Sequence, residues 1–441
     1  MLITYLRVHI ILIFFITFAN SQSFDIYDSS IKLTDHNYNL TKDSSLTALY
    51  QYPKSVKLEN KTNELLDPII MLNSSESLQL SFDILNNDVR SYAYTFIHCD
   101  SNWEYSDMIQ TDYLTGFYDN YIEHYEYSFN TLSEYVHYNF EFPNAHVNFK
   151  KSGNYVVLVY DNEQNIPIIT KRFMIYEDIL LVEMNIKKAT LAKDQKDKQE
   201  INFFIGDYKK LNITNPHTDL KIIIQKNDEW KNIKTNPTPS FINNEKIEYE
   251  HQEALLFLGG NEYLDFDIKS LRYYGKNVQS IEKKNIQGSP IYYVLIQEDV
   301  EKTSKYYDFK YDLNGKYILS VAENREQSTE GEYALVKFVL KSKQRENSNI
   351  YIYGELTNWN IIEEAQMNYN QKDQHYYGFL YLKQGYYNYQ YIVQDKKHLY
   401  VLGGNYHETR NEYSIYIYHT PVWSNYDRLV GIAKSTSNSL N

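Results

Sequence analysis

The stretch that decides the fold is Gly153-Asn-Tyr-Val-Val-Leu-Val-Tyr-Asp-Asn-Glu-Gln-Asn-Ile-Pro-Ile-Ile-Thr-Lys-Arg-Phe-Met-Ile-Tyr176. A β-prone run to Tyr160 meets the polar turn Asp161-Asn-Glu-Gln-Asn165. It returns from Pro167 to Tyr176, where Glu177-Asp178 closes it. Strand, turn signal and returning strand read as the last hairpin of a β-sandwich. Upstream, Ser91-Tyr-Ala-Tyr-Thr-Phe-Ile-His-Cys-Asp100 is another extended run. Side chains on a strand alternate faces, so Tyr92, Tyr94, Phe96, His98 and Asp100 share one face. Ala93, Thr95, Ile97 and Cys99 share the other.

Downstream, residues 199–205, 220–225 and 254–258 read as short strands between turn-rich loops. Asn314-Gly315, between β-prone residues 305–312 and 316–321, is a strong hairpin signal. Residues 332–340 alternate again, and the polar stretch 341–349 reads as a linker. A last set of strands starts at Ile350-Tyr-Ile-Tyr-Gly-Glu-Leu-Thr-Asn-Trp-Asn360 and continues over 376–383, 386–394 and 412–418. No long segment has helical periodicity with good caps. The expectation is an all-β chain of tandem immunoglobulin-like β-sandwich domains. The N-terminal sandwich covers 22–180 with an irregular insertion at 101–135, the middle one 181–345 and the C-terminal one 346–433. Residues 434–441 are expected to be a flexible tail.

Composition narrows the function. The 441 residues carry a net charge of -13, which argues against a general nucleic-acid binder. A hydrophobic share of 43% suits packed cores, not a disordered polymer. One Cys excludes an intramolecular disulfide, a thiolate zinc site and an iron–sulfur cluster. Tyr is in excess, at 46 against 20 Phe. AT-rich codon usage explains part of that, and the rest suits half-buried strands and wet interfaces. The start, MLITYLRVHIILIFFITFANSQSF, has a weakly positive end, an apolar run and small residues before Gln22. It reads as a signal peptide over 1–21, cleaved near Ser21. No later stretch has the length of a transmembrane helix, so no direct membrane span is expected.

Motifs for chemistry are weak. His98-Cys99-Asp100 contains a base, a nucleophile and an acid, but neighbouring strand residues point to opposite faces. Cys99 then reads as a small core residue, and His98 with Asp100 as a polar pair ordering the loop to Trp103. His124, His137 and His146 share a region without the spacing of a metal motif. No nucleophile elbow, P-loop or dinucleotide fingerprint occurs. No catalytic residue, cofactor or metal ligand is assigned.

Two resemblances add to this reading. Ile352-Tyr-Gly-Glu-Leu-Thr-Asn-Trp359 with Gln384-Gly-Tyr-Tyr-Asn-Tyr-Gln-Tyr391 resembles early-set immunoglobulin-like modules that bind α-glucans. It implies an alternative function, a periplasmic glycan-binding protein with Trp359 stacked on sugar. A larger set of strings runs in order along the chain: Arg90-Ser-Tyr, His98-Cys-Asp with Trp103, Tyr113-Leu with Gly116-Phe117, Ser128-Phe-Asn-Thr131 and Phe142-Pro-Asn144. Ser152-Gly-Asn-Tyr155, Lys171-Arg-Phe-Met174, Lys383-Gln-Gly-Tyr-Tyr-Asn-Tyr389 and Asn411-Glu-Tyr413 complete it. This is similar to the type IX secretion system plug proteins of Bacteroidetes.

That resemblance implies a periplasmic, non-enzymatic protein associated with the outer membrane through its partner. The partner is the very large outer-membrane β-barrel translocon, whose pore it occludes when no substrate is in transit. Gly403 stands where the family pattern leads us to expect Glu. A releasable plug needs a polar, Tyr-rich face rather than a greasy one. The irregular 101–135 segment offers Trp103, Tyr105, Tyr113, Phe117, Tyr118 and Tyr121 as the candidate interface.

Overall fold

The computed structural model describes residues 24–40, 52–213, 215–286, 288–301, 307–323, 326–396, 398–421, 424 and 426–437. The expected signal peptide, residues 1–21, and residues 438–441 lie outside the described residues. Strands make up 49% and helices 6%, so the chain is all-β as expected.

The diagnostic hairpin forms. Gly153–Asp161 pairs antiparallel with Ile166–Tyr176 and, on its other side, with Tyr92–Cys99. Asp161 shapes the turn, its Oδ1 accepting from the backbone N–H of Glu163 and Gln164. Asn120–Tyr121 extends the sheet beyond Tyr92–Cys99, while His36–Asn37 and Ile69–Met71 flank Ile166–Tyr176. A second sheet, ordered Lys54–Asn60, Leu78–Ile84, Val136–Phe142 and His124–Tyr127, closes the first sandwich. Leu78, Leu80 and Phe82 meet Tyr94, Phe96, Tyr155 and Phe173 in its core.

Every residue of Gly153–Asp161 is buried. A sheet with one wet face would alternate; this one has no wet face. Its far side (Ala93, Ile97, Cys99, Val156, Leu158) packs on Ile223, Tyr416, Tyr418 and Leu429 of another sandwich. Four sheets are therefore stacked through continuous apolar contacts.

That second sandwich has an unexpected composition. One sheet contains Val182–Lys188, Lys198–Gly206, Lys246–Tyr249 and Phe241–Ile242, with Leu256–Leu258 beside Lys198–Gly206. The other is ordered Glu229–Thr235, Leu220–Lys226, Glu412–His419 and Arg428–Thr436. The last two strands of the chain thus complete the middle sandwich. The third sandwich, spanning 264–402, is inserted into it. Its sheets centre on Gly385–Gln394, joined by Leu264–Asp267, Tyr317–Leu319 and Asn349–Tyr353, and on Tyr333–Lys341 between Ser289–Ile296 and His375–Lys383.

Three expectations need correcting. The boundary at 345/346 cuts through the third sandwich, and 412–433 belongs to the middle unit. The reason is burial on both faces: Tyr413, Ile415 and Ile417 face one layer and Tyr416 and Tyr418 the other. Only an interior strand of the stack satisfies both. Second, Lys434 lies within a strand and Ser437 is buried, its Oγ taking the Asn411 N–H (2.8 Å), so the tail does not begin at 434. Third, Asn314 and Gly315 do turn (φ +52° and +85°), but 307–313 does not pair back on Tyr317–Leu319, which pairs with Gly385–Gln394. The turn instead passes under Trp359. A Cβ on Gly315 would stand 2.3 Å from that ring.

Candidate functional site

The 101–135 segment divides into an anchored half and an exposed half. Asp100 orders its start, with Oδ1 accepting from the N–H of Asn102 and Glu104 (both 2.9 Å). Trp103, at φ +64°, is buried beneath the Arg172 guanidinium (4.4 Å) and against the edge of Trp230 (4.9 Å). Tyr105 donates to the Ile26 carbonyl and Tyr113 to the Phe96 carbonyl (3.0 Å each). Burial raises the pKa of both phenols, Tyr105 to about 12. Trp103 and Tyr113 are therefore loop anchors, a correction to their place among the expected contacts. Tyr105 is half-buried and does the same work.

Phe117, Tyr118 and Tyr121 are exposed, as a contact surface requires. Tyr125, Tyr127 and Phe129 are exposed with them. Asn120–Tyr121 is the edge of one sheet and His124–Tyr127 the edge of the other. Consecutive residues thus carry the chain across one flank of the first sandwich, with Ile122 tucked between the sheets.

His98 does not pair with Asp100. Its Nδ1 meets Ser106 Oγ (2.9 Å) and its Nε2 the Ser152 carbonyl (3.3 Å), and burial pulls its pKa down to about 4. Cys99 is a core residue whose thiol burial pushes up to about 12, leaving no nucleophilic thiolate at neutral pH. His137 Nδ1 bonds Asp83 Oδ1 (2.6 Å), while His146 lies beside Phe117. Trp359 is half-buried at φ +55°, edge-on to Tyr353 (5.7 Å) and Tyr263 (6.2 Å).

Behind the flank, buried ion pairs tie the three sandwiches together. Lys383 of the third reaches Asp83 of the first (2.7 Å), with Tyr333 and His137 on the same carboxylate. Burial opposes ionisation of Asp83, but Lys383 and His137 outweigh it and hold its pKa below the usual range. Lys57 of the first grips both oxygens of Glu355 in the third (2.8 and 2.9 Å). At one point all three units meet. Lys316 of the third donates to Asp67 of the first (2.9 Å) and forms an ion pair with Asp228 of the second (2.5 Å). Lys434 bonds Asp67 (2.5 Å) and Glu412 (2.7 Å). Asp67, Asp228 and Glu412 converge closely enough to suggest a metal site, but two ammonium groups already sit among them. Three carboxylates against two cations leave one surplus negative charge. Burial, then the charge of Asp67, push Asp228 up to about 7, while Lys316 and Lys434 hold Asp67 well below the usual range. A cavity of about 360 Å³ adjoins this junction, lined by Trp103, Arg172, Asp228, Trp230, Lys316 and Trp359.

The sequence reading missed these junction residues and Phe129. Some signals existed: Asp83 and Lys383 sit at the ends of apolar strands, where an ionisable group has to find a partner.

Residues 54–177, the body of the first sandwich, match the family model described as type 9 secretion system plug protein first domain. This is the family that the ordered motifs in the sequence resemble. A crystal structure of a hypothetical protein from Parabacteroides merdae is similar at TM-score 0.84 and 29% identity, covering 92% of this chain and 100% of that one. The C-terminal domain of the antigen I/II-family protein AspA of Streptococcus pyogenes aligns over 87% of this chain and 99% of that one at 8% identity. Its TM-score of 0.15 carries no argument. No curated protein matches.

Proposed function

We propose that this protein is a periplasmic plug of the type IX secretion system. It occludes the pore of the large outer-membrane β-barrel translocon while no substrate is in transit. The match of residues 54–177 to the first plug domain carries this reading. Two features support it. A stopper must not deform under load, and three sandwiches joined by apolar layers and buried ion pairs form a stiff body. A stopper must also release, and the exposed flank is aromatic and polar rather than uniformly apolar. Blocking a pore requires no reacting group, so the role is non-catalytic.

Affinity purification of the mature protein from native envelopes is expected to bring down a very large barrel protein. Deleting the gene is expected to admit large solutes across the outer membrane. Unchanged permeability together with no barrel in the eluate would end this reading. The alternative, glycan binding through Trp359, has less support, because that half-buried indole already packs edge-on to Tyr263 and Tyr353 and lies over the Gly315 turn.

A further inference from the structure

The flank that carries Tyr121, Tyr125 and Tyr127 ends in a short sheet edge, open over His124–Tyr127. Among the described residues His124–Tyr127 pairs only with Val136–Phe142, and all four residues are exposed; beyond them the outward N–H of Phe129 is taken by the Thr329 carbonyl (2.9 Å). The Ser128 N–H donates to the Tyr135 carbonyl (2.8 Å), which sets the phase of the ladder. In an antiparallel pair, inward and outward hydrogen-bonding residues alternate. Glu126 and His124 therefore bond inward, and the N–H and C=O of Tyr125 and Tyr127 point away from the sheet. Proteins usually guard such an edge with lysine, proline or a bulge. Here the strand reads His-Tyr-Glu-Tyr, with neither lysine nor proline and a continuous register.

The charge around the edge is one-sided. Residues 101–149 contain eight acidic residues and no Lys or Arg. Several of the acids are occupied: Glu141 by Lys61, Glu134 by Asn87 and Asp119 by Tyr160. Glu123 and Glu126, on either side of the first tyrosine of the strand, have no ion-pair partner among the described residues. Arg90, near Tyr138 at this flank, is turned to Asp161 (3.7 Å).

We propose that this edge receives an extended, Lys- or Arg-bearing polypeptide segment of a partner protein as a fifth strand of the sheet. The outward groups of Tyr125 and Tyr127 supply the ladder. The rings of Tyr125 and Tyr127 share one face of the strand and offer it to cationic side chains on that side of the segment, with Glu123 at the strand's start to neutralise them; Glu126, on the other face, meets cationic side chains of the alternate residues. A second copy of this chain is a poor occupant. Edge-to-edge pairing about a two-fold axis would bring the Glu123 and Glu126 carboxylates of both copies together. The proposal stands whichever protein supplies the segment, and its test uses no translocon. Its failure therefore leaves the plug reading untouched, and failure of the plug reading leaves this one testable.

The probe is the labelled peptide acetyl-(Lys-Val)4-amide, titrated with the mature protein by fluorescence anisotropy. Two controls accompany it: acetyl-(Lys-Pro)4-amide, equally charged but unable to complete a ladder, and acetyl-(Glu-Val)4-amide. The Lys-Val peptide is expected to bind at least about tenfold more tightly than either control, with affinity falling as salt rises. Charge reversal at two exposed positions, Glu123→Lys with Glu126→Lys, is expected to lower its affinity at least about tenfold. Tyr127→Pro, which removes an outward N–H and leaves the inward ladder in place, is expected to abolish the preference for Lys-Val over Lys-Pro. Equal binding of the Lys-Val and Lys-Pro peptides to the unaltered protein would overturn strand addition. Absence of binding, binding unchanged by the charge reversal, or a concentration-dependent dimer that blocks the peptide would overturn the proposed occupant.

Discussion

The meeting point of the three sandwiches offers the sharpest test of the electrostatic reasoning. Asp228 is flanked by Lys316 at 2.5 Å, which favours an ionised carboxylate. Yet Asp67 and Glu412 share the same two lysines, and the cluster carries one negative charge too many. In a buried site that surplus is removed most cheaply by a proton, and Asp228 holds it up to about 7. An unfolded aspartate titrates at about 4. Between those values the folded state holds a proton that the unfolded chain has lost. Asp228 therefore makes stability fall as pH rises from about 4 to about 7, after which its effect is constant. Asp67 acts in the opposite sense: its depressed pKa contributes stability above about 4 and loses it as pH falls further. The displacement of Asp228 corresponds to about 4 kcal/mol at most, and about 2 kcal/mol allowing for its partial exposure. Asp228→Asn keeps the shape of the protonated acid. It is expected to leave stability at pH 4 within about 0.5 kcal/mol, to raise it at pH 8 by about 2 kcal/mol, and to flatten the profile between. Urea unfolding of both proteins across pH 4–9 reads this directly. A variant less stable than the parent at pH 8 would mean that the ionised Asp228 carboxylate gains more from its lysine contact than it loses to burial and to Asp67, which would refute a raised pKa.

Other expectations follow from the same geometry. Lys383→Ala strands the buried Asp83 carboxylate and is expected to cost about 3–5 kcal/mol, read from the urea midpoint. Cys99 is expected to resist a thiol reagent at pH 8 in the folded protein and to react at once in denaturant; labelling of the native state would show that the strand pairing at Asn154 is open. Trp359→Ala removes a ring that fills the space above Gly315 and is expected to lower stability by about 2 kcal/mol, with α-glucan retention on an affinity gel unchanged. Phe117→Ser with Tyr121→Ser alters exposed rings only; stability is expected to hold within about 0.5 kcal/mol per site while recovery of the barrel protein from envelopes drops.

Local structure was legible wherever a strand's own side chains report it. The hairpin ending at Tyr176 forms with its polar turn in place, and Cys99 sits with Ile97 in the core, as alternation requires. The candidate interface was legible only in part. Aromatic residues at 101–135 attract attention equally, but Trp103 and Tyr113 find a guanidinium and a carbonyl inside, and Phe117 and Tyr121 find none. Nothing in a tyrosine's identity distinguishes those fates, since its ring and hydroxyl suit either.

By itself, the sequence determined the all-β class, most of the strands and a resemblance to the plug family, whose first-domain model matches residues 54–177. Those follow from short-range rules: period-two alternation, turn chemistry and local motifs. Only the tertiary structure decided that Glu412–His419 and Arg428–Thr436 return to finish the middle sandwich around an inserted third. It alone placed Asp67, Asp228, Lys316 and Lys434 in one partly buried cluster. A β-strand carries no mark naming its partner, because the backbone ladder is the same for every pair. Partner choice is settled by which faces must be buried together, and that is a property of the whole chain.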